Sequence, residues 1–250
     1  MSDAVLYEMY GQTAVITLNR PEKRNVVNLA MRDGVLAAWR RFDADPSARV
    51  AILTAAGDKA FCAGRDLSEA ASGHGHGFIP ILRDEISVAK PVIAAVNGAA
   101  LGGGCFMALS CDLCIAAEHA TFALTEARIG RAPIYAFWLN GMIPQKVALE
   151  MSMTGNPIGA QRAYELGLVN HVVHAELLME RALALASDLA AAAPLSVAAT
   201  KAMIYETAGL DPKQAMERAL ARFKPVFESE DALEGMRAFR EKRSPVWKGK

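Results

Sequence analysis

The sequence predicts an α/β fold with an all-helical C-terminal end. Short apolar runs of strand character alternate with segments of helical period through the first two-thirds of the chain. Two of those runs lead directly into glycine-containing stretches, and after Val173 strand signals vanish. In order, Val5–Met9, a turn at Gly11-Gln12 and Ala14–Leu18 predict a hairpin. Asn28 is placed to cap a helix that carries Met31, Val35, Leu36, Trp39 and Phe42 at helical spacing. Val50–Leu53 predicts a buried strand, and Gly73–Gly77 breaks the pattern before the segment Phe78–Ala89. A strand Val92–Val96, a helix opened by Gly102–Gly104 and a strand Leu113–Ala116 follow. Beyond them, Glu176–Ala192, Leu195–Ala208, Pro212–Phe223 and Glu230–Lys242 predict helices, punctuated by Pro194 and Gly209. A boundary near Ala193 separates a core of residues 1–193 from a helical segment of residues 194–250. That segment holds too little core of its own and is expected to pack on the rest or on a neighbour.

Composition narrows the class. In 250 residues, 52% hydrophobic content can bury a sizeable core, as one large domain or a domain with an appendage. The 27 basic and 27 acidic residues balance, so no overall charge favours nucleic acid or an anionic membrane; an anionic ligand would need a local basic patch. Met1-Ser2-Asp3-Ala4 lacks a positive region followed by an apolar run, and the apolar stretch Ala182–Ala193 is broken by Ser187 and Asp188. The expectation is a cytoplasmic protein with neither secretory signal nor membrane span. Cys62, Cys105, Cys111 and Cys114 are then reduced thiols, and Cys111-x-x-Cys114, lying in a strand-like run, is a buried structural pair rather than a zinc or redox motif. His74 and His76 belong to a polar loop with no third ligand spaced to them, so no metal is expected.

The chemistry lies in the two glycine stretches, Phe61-Cys62-Ala63-Gly64-Arg65-Asp66-Leu67 and Asn97-Gly98-Ala99-Ala100-Leu101-Gly102-Gly103-Gly104-Cys105-Phe106. Glycine lets bare backbone approach a ligand, and a helix N-terminus presents unpaired N–H groups. Two such peptides facing one carbonyl oxygen stabilise an oxyanion, and losing one donor of this kind costs about 3 kcal/mol of transition-state energy. The spacing matches neither a dinucleotide nor a P-loop fingerprint.

Together and in this order, these stretches resemble the enoyl-CoA hydratase/isomerase (crotonase) family. The resemblance extends from Asn19-Arg20-Pro21-Glu22-Lys23-Arg24-Asn25 through Cys111-Asp112-Leu113, Phe122–Gly130 and Ala163–Asn170 to Glu234–Arg243. It implies a crotonase-like right-handed spiral of ββα turns, ended by a helical segment that builds a homotrimer or a dimer of trimers. It also implies an acyl-CoA thioester substrate, so that coenzyme A enters as part of the substrate and no separate cofactor is needed.

Carried over residue by residue, the resemblance makes the N–H groups of Arg65 and Gly103 the oxyanion hole and Glu126 the catalytic carboxylate. The Arg65 side chain is left either to reach a CoA phosphate or to lie in solvent. Ala63, Asp66, Leu67, Phe106, Ile134 and Phe137 fall at substrate-binding positions, although Asp66 is better explained as the cap of the next turn. Lys23 and Arg24 fall in the loop that lies beside CoA in the family; Phe223 and Lys242 match positions that complete the CoA site, often from a neighbouring subunit. Of these the lysine is the better suited to meet a phosphate.

Family hydratases carry two glutamates. Here the second is present as Glu126, within Phe122-Ala123-Leu124-Thr125-Glu126, and the first is replaced by Phe106. Apolar neighbours such as Ile129, Ala132 and Ile134 should raise the Glu126 pKa. Hydration needs both a positioned water and a proton donor, whereas one carboxylate suffices to move a proton from C2 to C4. The stretch Arg131–Leu139, ending Phe-Trp-Leu, looks like that of the mitochondrial Δ3-Δ2-enoyl-CoA isomerases. The expectation is therefore Δ3-Δ2-enoyl-CoA isomerisation, with 2-enoyl-CoA hydration and a non-catalytic acyl-CoA-binding protein as alternatives.

Overall fold

The computed structural model describes residues 4–68 and 78–250. The opening residues Met1-Ser2-Asp3 and the glycine- and histidine-bearing stretch Gly73–Gly77, with His74 and His76, lie outside the described residues.

The predicted hairpin forms from β1 (Val5–Tyr10) and β2 (Thr13–Leu18), paired antiparallel. Asn28 caps α1 (Leu29–Ala44) by accepting from the Met31 N–H at 3.0 Å, and Met31, Val35, Ala38, Trp39 and Phe42 line its buried side. Strand pairs then follow one another: β3 (Val50–Ala55) and β4 (Ala60–Cys62), β5 (Val92–Val96) and β6 (Ala99–Leu101), β7 (Leu113–Ala117) and β8 (Thr121–Ala123). Helix α2 (Gly103–Ser110) leads from β6 to β7. The remaining elements are α3 (Gln145–Thr154), β9 (Ile158–Gly159), α4 (Ala160–Glu165), β10 (His171–Val173), α5 (Leu178–Ala191), α6 (Pro194–Glu206), α7 (Pro212–Phe227) and α8 (Glu230–Glu241).

Each strand pair hands one strand to each of two sheets, which is what a spiral of strand–strand turns requires. The larger sheet runs β1-β2-β3-β5-β7-β10, parallel from β2 onward; the smaller runs β4-β6-β8-β9, with β9 antiparallel. Residues along β3 alternate between two cores, as a period of two demands. Ala51 and Leu53 face the core shared with α1 and α2, while Val50 and Ile52 face α5. On α5, Ala182, Ala186 and Ala190 recur at helical spacing, so small side chains bring the helix close to the sheet.

The end of the chain is different. No residue of α6 or α7 is fully buried, and in α8 Asp231 and Ala238 are. The junction with the spiral is polar: Lys201 of α6 pairs with Asp112 at 2.8 Å, and the Tyr205 hydroxyl donates to the same carboxylate at 2.9 Å. No single described helix is long and apolar enough to cross a membrane.

Candidate active site

Backbone bonding first brings the N-terminal loop to the first glycine stretch. Val27 N–H donates to Gly64 O at 2.8 Å, Ala63 N–H to Arg24 O at 3.1 Å, and Asp66 N–H to Val27 O at 2.9 Å. Buried Asn25 fixes the loop from within. Its amide donates to the carbonyls of Ala56 and Ala60, and its side-chain oxygen accepts from Arg20 N–H. Lys23 and Arg24 are thereby carried, exposed, beside the Gly64–Arg65 peptide.

The second glycine stretch meets the first. A Cβ placed on Gly64, whose φ is +90°, would lie 3.1 Å from Leu101 O and 3.6 Å from Gly103 N. A Cβ on Gly104 would stand 2.1 Å from Cys62 O, so only glycine lets the start of α2 sit on the end of β4. Gly103 is the first residue of α2, and its N–H has no hydrogen-bond acceptor among the described residues. Two adjacent backbone segments thus converge on one spot, one of them with a helix N-terminus behind it.

Glu126 closes the third side. It sits in a 3₁₀ turn, Thr125–Ile129, directly after β8, and a Cβ on Gly102 would lie 3.1 Å from its Oε1. Its Oε2 is buried without a hydrogen-bond partner among the described residues. Burial raises the carboxyl above its ordinary pKa, against a smaller lowering by its own backbone amide. The charge of Glu126 in turn adds to the burial that raises the Cys105 thiol. Burial also pushes Cys62 and Cys114 up to about 12, and all four cysteines are free and buried, so none is a thiolate near neutral pH.

These groups line a cleft of about 540 Å³ in which Glu126 is the one acidic side chain among the described residues. Phe78, Ile79, Phe106, Ile129, Ile134 and Tyr135 supply its apolar wall, and Arg65 and Arg131 its basic groups. The Arg65 guanidinium lies over the Phe78 ring, 4.4 Å from its centroid. No group of three His, Cys, Asp or Glu side chains is gathered as a metal site among the described residues.

A family model for enoyl-CoA hydratase/isomerase matches residues 8–250. The chain belongs to this family. Among curated relatives, the carnitinyl-CoA dehydratases of Proteus mirabilis and Escherichia coli K12 are each 41% identical, with all of both chains covered. Among solved structures, the enoyl-CoA hydratase of Mycobacterium tuberculosis H37Rv superposes with a TM-score of 0.92 at 39% identity, over all of both chains. That of Bacillus anthracis superposes with a TM-score of 0.91 at 34% identity, over 99% of this chain and 100% of the other.

Membership makes this protein an acyl-CoA enzyme of the enoyl-CoA hydratase/isomerase family and gives its cleft a reference. Of the positions marked in the sequence, the cleft brings together Ala63, Arg65, Leu67, Gly103, Phe106, Glu126 and Ile134. Others lie outside its lining. Asp66 is turned away: its Oδ1 accepts from the N–H and hydroxyl of Ser68 and its Oδ2 pairs with Arg20 at 3.3 Å, so its work is capping and loop fastening. Phe137 is 62% exposed and packs edge-on against Trp138. Phe223 packs beside Phe227 on α7, and Lys242 is the exposed C-cap of α8, with a left-handed backbone. Neither reaches the cleft of its own chain. Lys23 and Arg24 stand beside the cleft without lining it.

Sequence reasoning missed Phe78, Ile79, Thr125 and Arg131 as lining residues. Ile79 left no signal in the sequence: a Cβ on Gly103 would lie 2.6 Å from Ile79 Cγ1, a crowding that only the fold reveals.

Proposed function

We propose that this enzyme isomerises 3-enoyl-CoA to 2-enoyl-CoA esters. The thioester oxygen receives the N–H groups of Arg65 and Gly103. The Glu126 carboxylate takes the proton from C2, leaving a dienolate whose negative oxygen those two peptides stabilise. The protonated Glu126 then returns the same proton to C4, and the double bond passes from C3=C4 to C2=C3. Nothing is gained or lost overall. The observation that carries this reading is the combination of Glu126, raised in pKa and unpartnered at Oε2 among the described residues, with Phe106 where a second carboxylate would stand. Phe106 is 2% exposed and lies against Tyr135, which leaves little polar surface to hold a water for addition.

A second reading, water addition to or removal from the acyl chain, is favoured by the relatives named carnitinyl-CoA dehydratase, which match over the full length. Kinetics on matched 2-enoyl- and 3-enoyl-CoA esters separate the two. Isomerisation predicts faster turnover of the 3-enoyl ester. Hydration of the 2-enoyl ester at an equal or greater rate overturns it, and no turnover of either points to a binding protein. Phe106→Glu sharpens the test by restoring a carboxylate, and is expected to gain hydration at the expense of isomerisation.

The reading includes CoA as part of the substrate and no other cofactor. Lys23 and Arg24 would meet the CoA moiety from beside the cleft, and Phe223 and Lys242 would reach it from a second copy. Met216, Leu220, Phe227, Leu233 and Phe239 expose 59 to 86% of their surface on α7 and α8, an apolar area that a homotrimer or a dimer of trimers would cover. Sedimentation at micromolar protein should show such an assembly; a monomer would contradict it.

A further inference from the structure

Beside buried Phe106 the cleft carries a device that proton transfer does not use. Phe106 meets Tyr135 edge-on, ring centroids 5.5 Å apart, and Tyr135 leans on Trp138 at 5.4 Å. The Tyr135 hydroxyl donates to Asp84 Oδ2, so a ring from the 3₁₀ segment Ile134–Gly141 is fastened to the loop that carries Phe78 and Ile79. Behind it, the Arg83 guanidinium lies between the Trp138 ring at 5.0 Å and the Tyr205 ring at 3.9 Å, which backs the aromatic layer with α6. At the mouth, by contrast, Leu67, Ile129 and Ile134 are 57%, 54% and 47% exposed. The apolar lining runs from these exposed side chains to buried Phe106 and half-buried Tyr135.

We propose that Tyr135, fastened by Asp84, ends the acyl pocket and sets the length of acyl chain that the enzyme accepts. The inference rests on the acyl-CoA reading of the cleft, and on neither isomerisation nor hydration. An ester whose thioester oxygen faces Gly103 and whose C2 faces Glu126 sends the rest of its acyl chain along the remaining apolar lining. Phe106 lies three residues into α2 from Gly103, ~4.5 Å along the helix axis. The chain therefore meets the Phe106–Tyr135 pair within a few carbons of the thioester. Phe106 is locked in the core, whereas Tyr135 belongs to a largely exposed segment and owes its position to ring contacts and one hydrogen bond. Tyr135 is thus the side chain whose size and fastening decide how far the pocket extends.

The test is calorimetric titration with saturated butanoyl-, hexanoyl-, octanoyl- and decanoyl-CoA and with free CoA. Saturated esters take part in neither double-bond movement nor hydration, so the result is independent of which reaction the enzyme performs. In the parent, affinity should stop rising after the shortest chains. In Tyr135→Ala it should keep rising, roughly fourfold for each further methylene that finds room, with free CoA unchanged within about twofold. Tyr135→Val takes its place if the alanine variant does not fold. Asp84→Ala should loosen the stop and give an intermediate profile, while Asp84→Asn, which keeps an acceptor for the hydroxyl, should stay close to the parent. Parallel chain-length profiles in the parent and both Tyr135 variants would overturn the proposal. So would an equal change in affinity for free CoA, which would put Tyr135 beside the CoA arm rather than the acyl chain.

Discussion

Two half-buried carboxylates near the same spiral turns behave as opposites. Asp112, between α2 and β7, is met on every side: Val92 N–H at 2.8 Å, the Tyr205 hydroxyl at 2.9 Å and the Lys201 ammonium at 2.8 Å. Glu126, after β8, has a buried Oε2 with no partner among the described residues and glycine backbone at its edge. A satisfied carboxylate holds parts together. An unsatisfied one carries a desolvation cost of roughly 1–3 kcal/mol that a proton or a substrate can relieve. On the proposed reading, the difference teaches that fastening and chemistry fall to different acids.

The sharpest way to break that comparison is to exchange the functions by mutation. Glu126→Gln keeps shape and removes the base, so turnover should fall by about 10²–10⁴-fold while CoA-ester affinity survives. Asp112→Asn, measured alongside, should leave turnover per folded molecule within a few-fold of the parent. Comparable losses in both variants would dissolve the distinction.

The next effect is on stability. Asp112→Ala leaves the Lys201 ammonium with the Lys90 carbonyl at 2.8 Å but without its carboxylate, the Lys201 and Asp112 side chains being 13% and 15% exposed. Denaturant unfolding should show a loss of roughly 2–3 kcal/mol, that of charge-assisted hydrogen bonds, since the ammonium keeps a carbonyl acceptor. A loss of a few tenths would mean that α6 is held by other contacts.

The smallest effect has the opposite sign. The Glu126 carboxyl is raised in the folded state, so the unfolded chain gives up its proton first as pH rises past the ordinary glutamate value. Folding is therefore penalised from there up to the raised pKa, and by a constant amount above it. Glu126→Gln should be slightly more stable than the parent at neutral pH, with the gain fading as pH falls below about 4, where both states of the parent are protonated. A variant less stable than the parent at neutral pH would argue for a partner that holds the ionised carboxylate.

Much of this was legible in the chain itself because the relevant signals are local. The hairpin around Gly11, the Asn28 cap, the buried strands and the helices of the C-terminal end all follow from short-range periodicity and caps. The convergence of Gly64, Gly103 and Glu126 was legible only through the family resemblance, since nothing in the spacing says that three such distant stretches meet. What stayed hidden is non-local and side-chain specific. Ile79 against Gly103, Asp84 on Tyr135 and Arg83 between two rings arise from the loop after Gly77 folding over the cleft, and no period announces them. Asp66 shows the reverse case. Its place in a motif put it among the site positions, its residue type already suggested a cap, and Ser68 and Arg20 take it as one.

The central claim is that Glu126 is held ready to exchange a proton. Its carboxyl can be titrated directly by difference infrared or carbon-13 spectra of the parent minus Glu126→Gln across pH 3 to 9. The account predicts a single carboxyl midpoint above the ordinary glutamate value, matched by the acidic limb of kcat/KM and absent from the variant. A midpoint at or below the ordinary value would show a carboxylate already satisfied, and would contradict the assignment of proton transfer to Glu126.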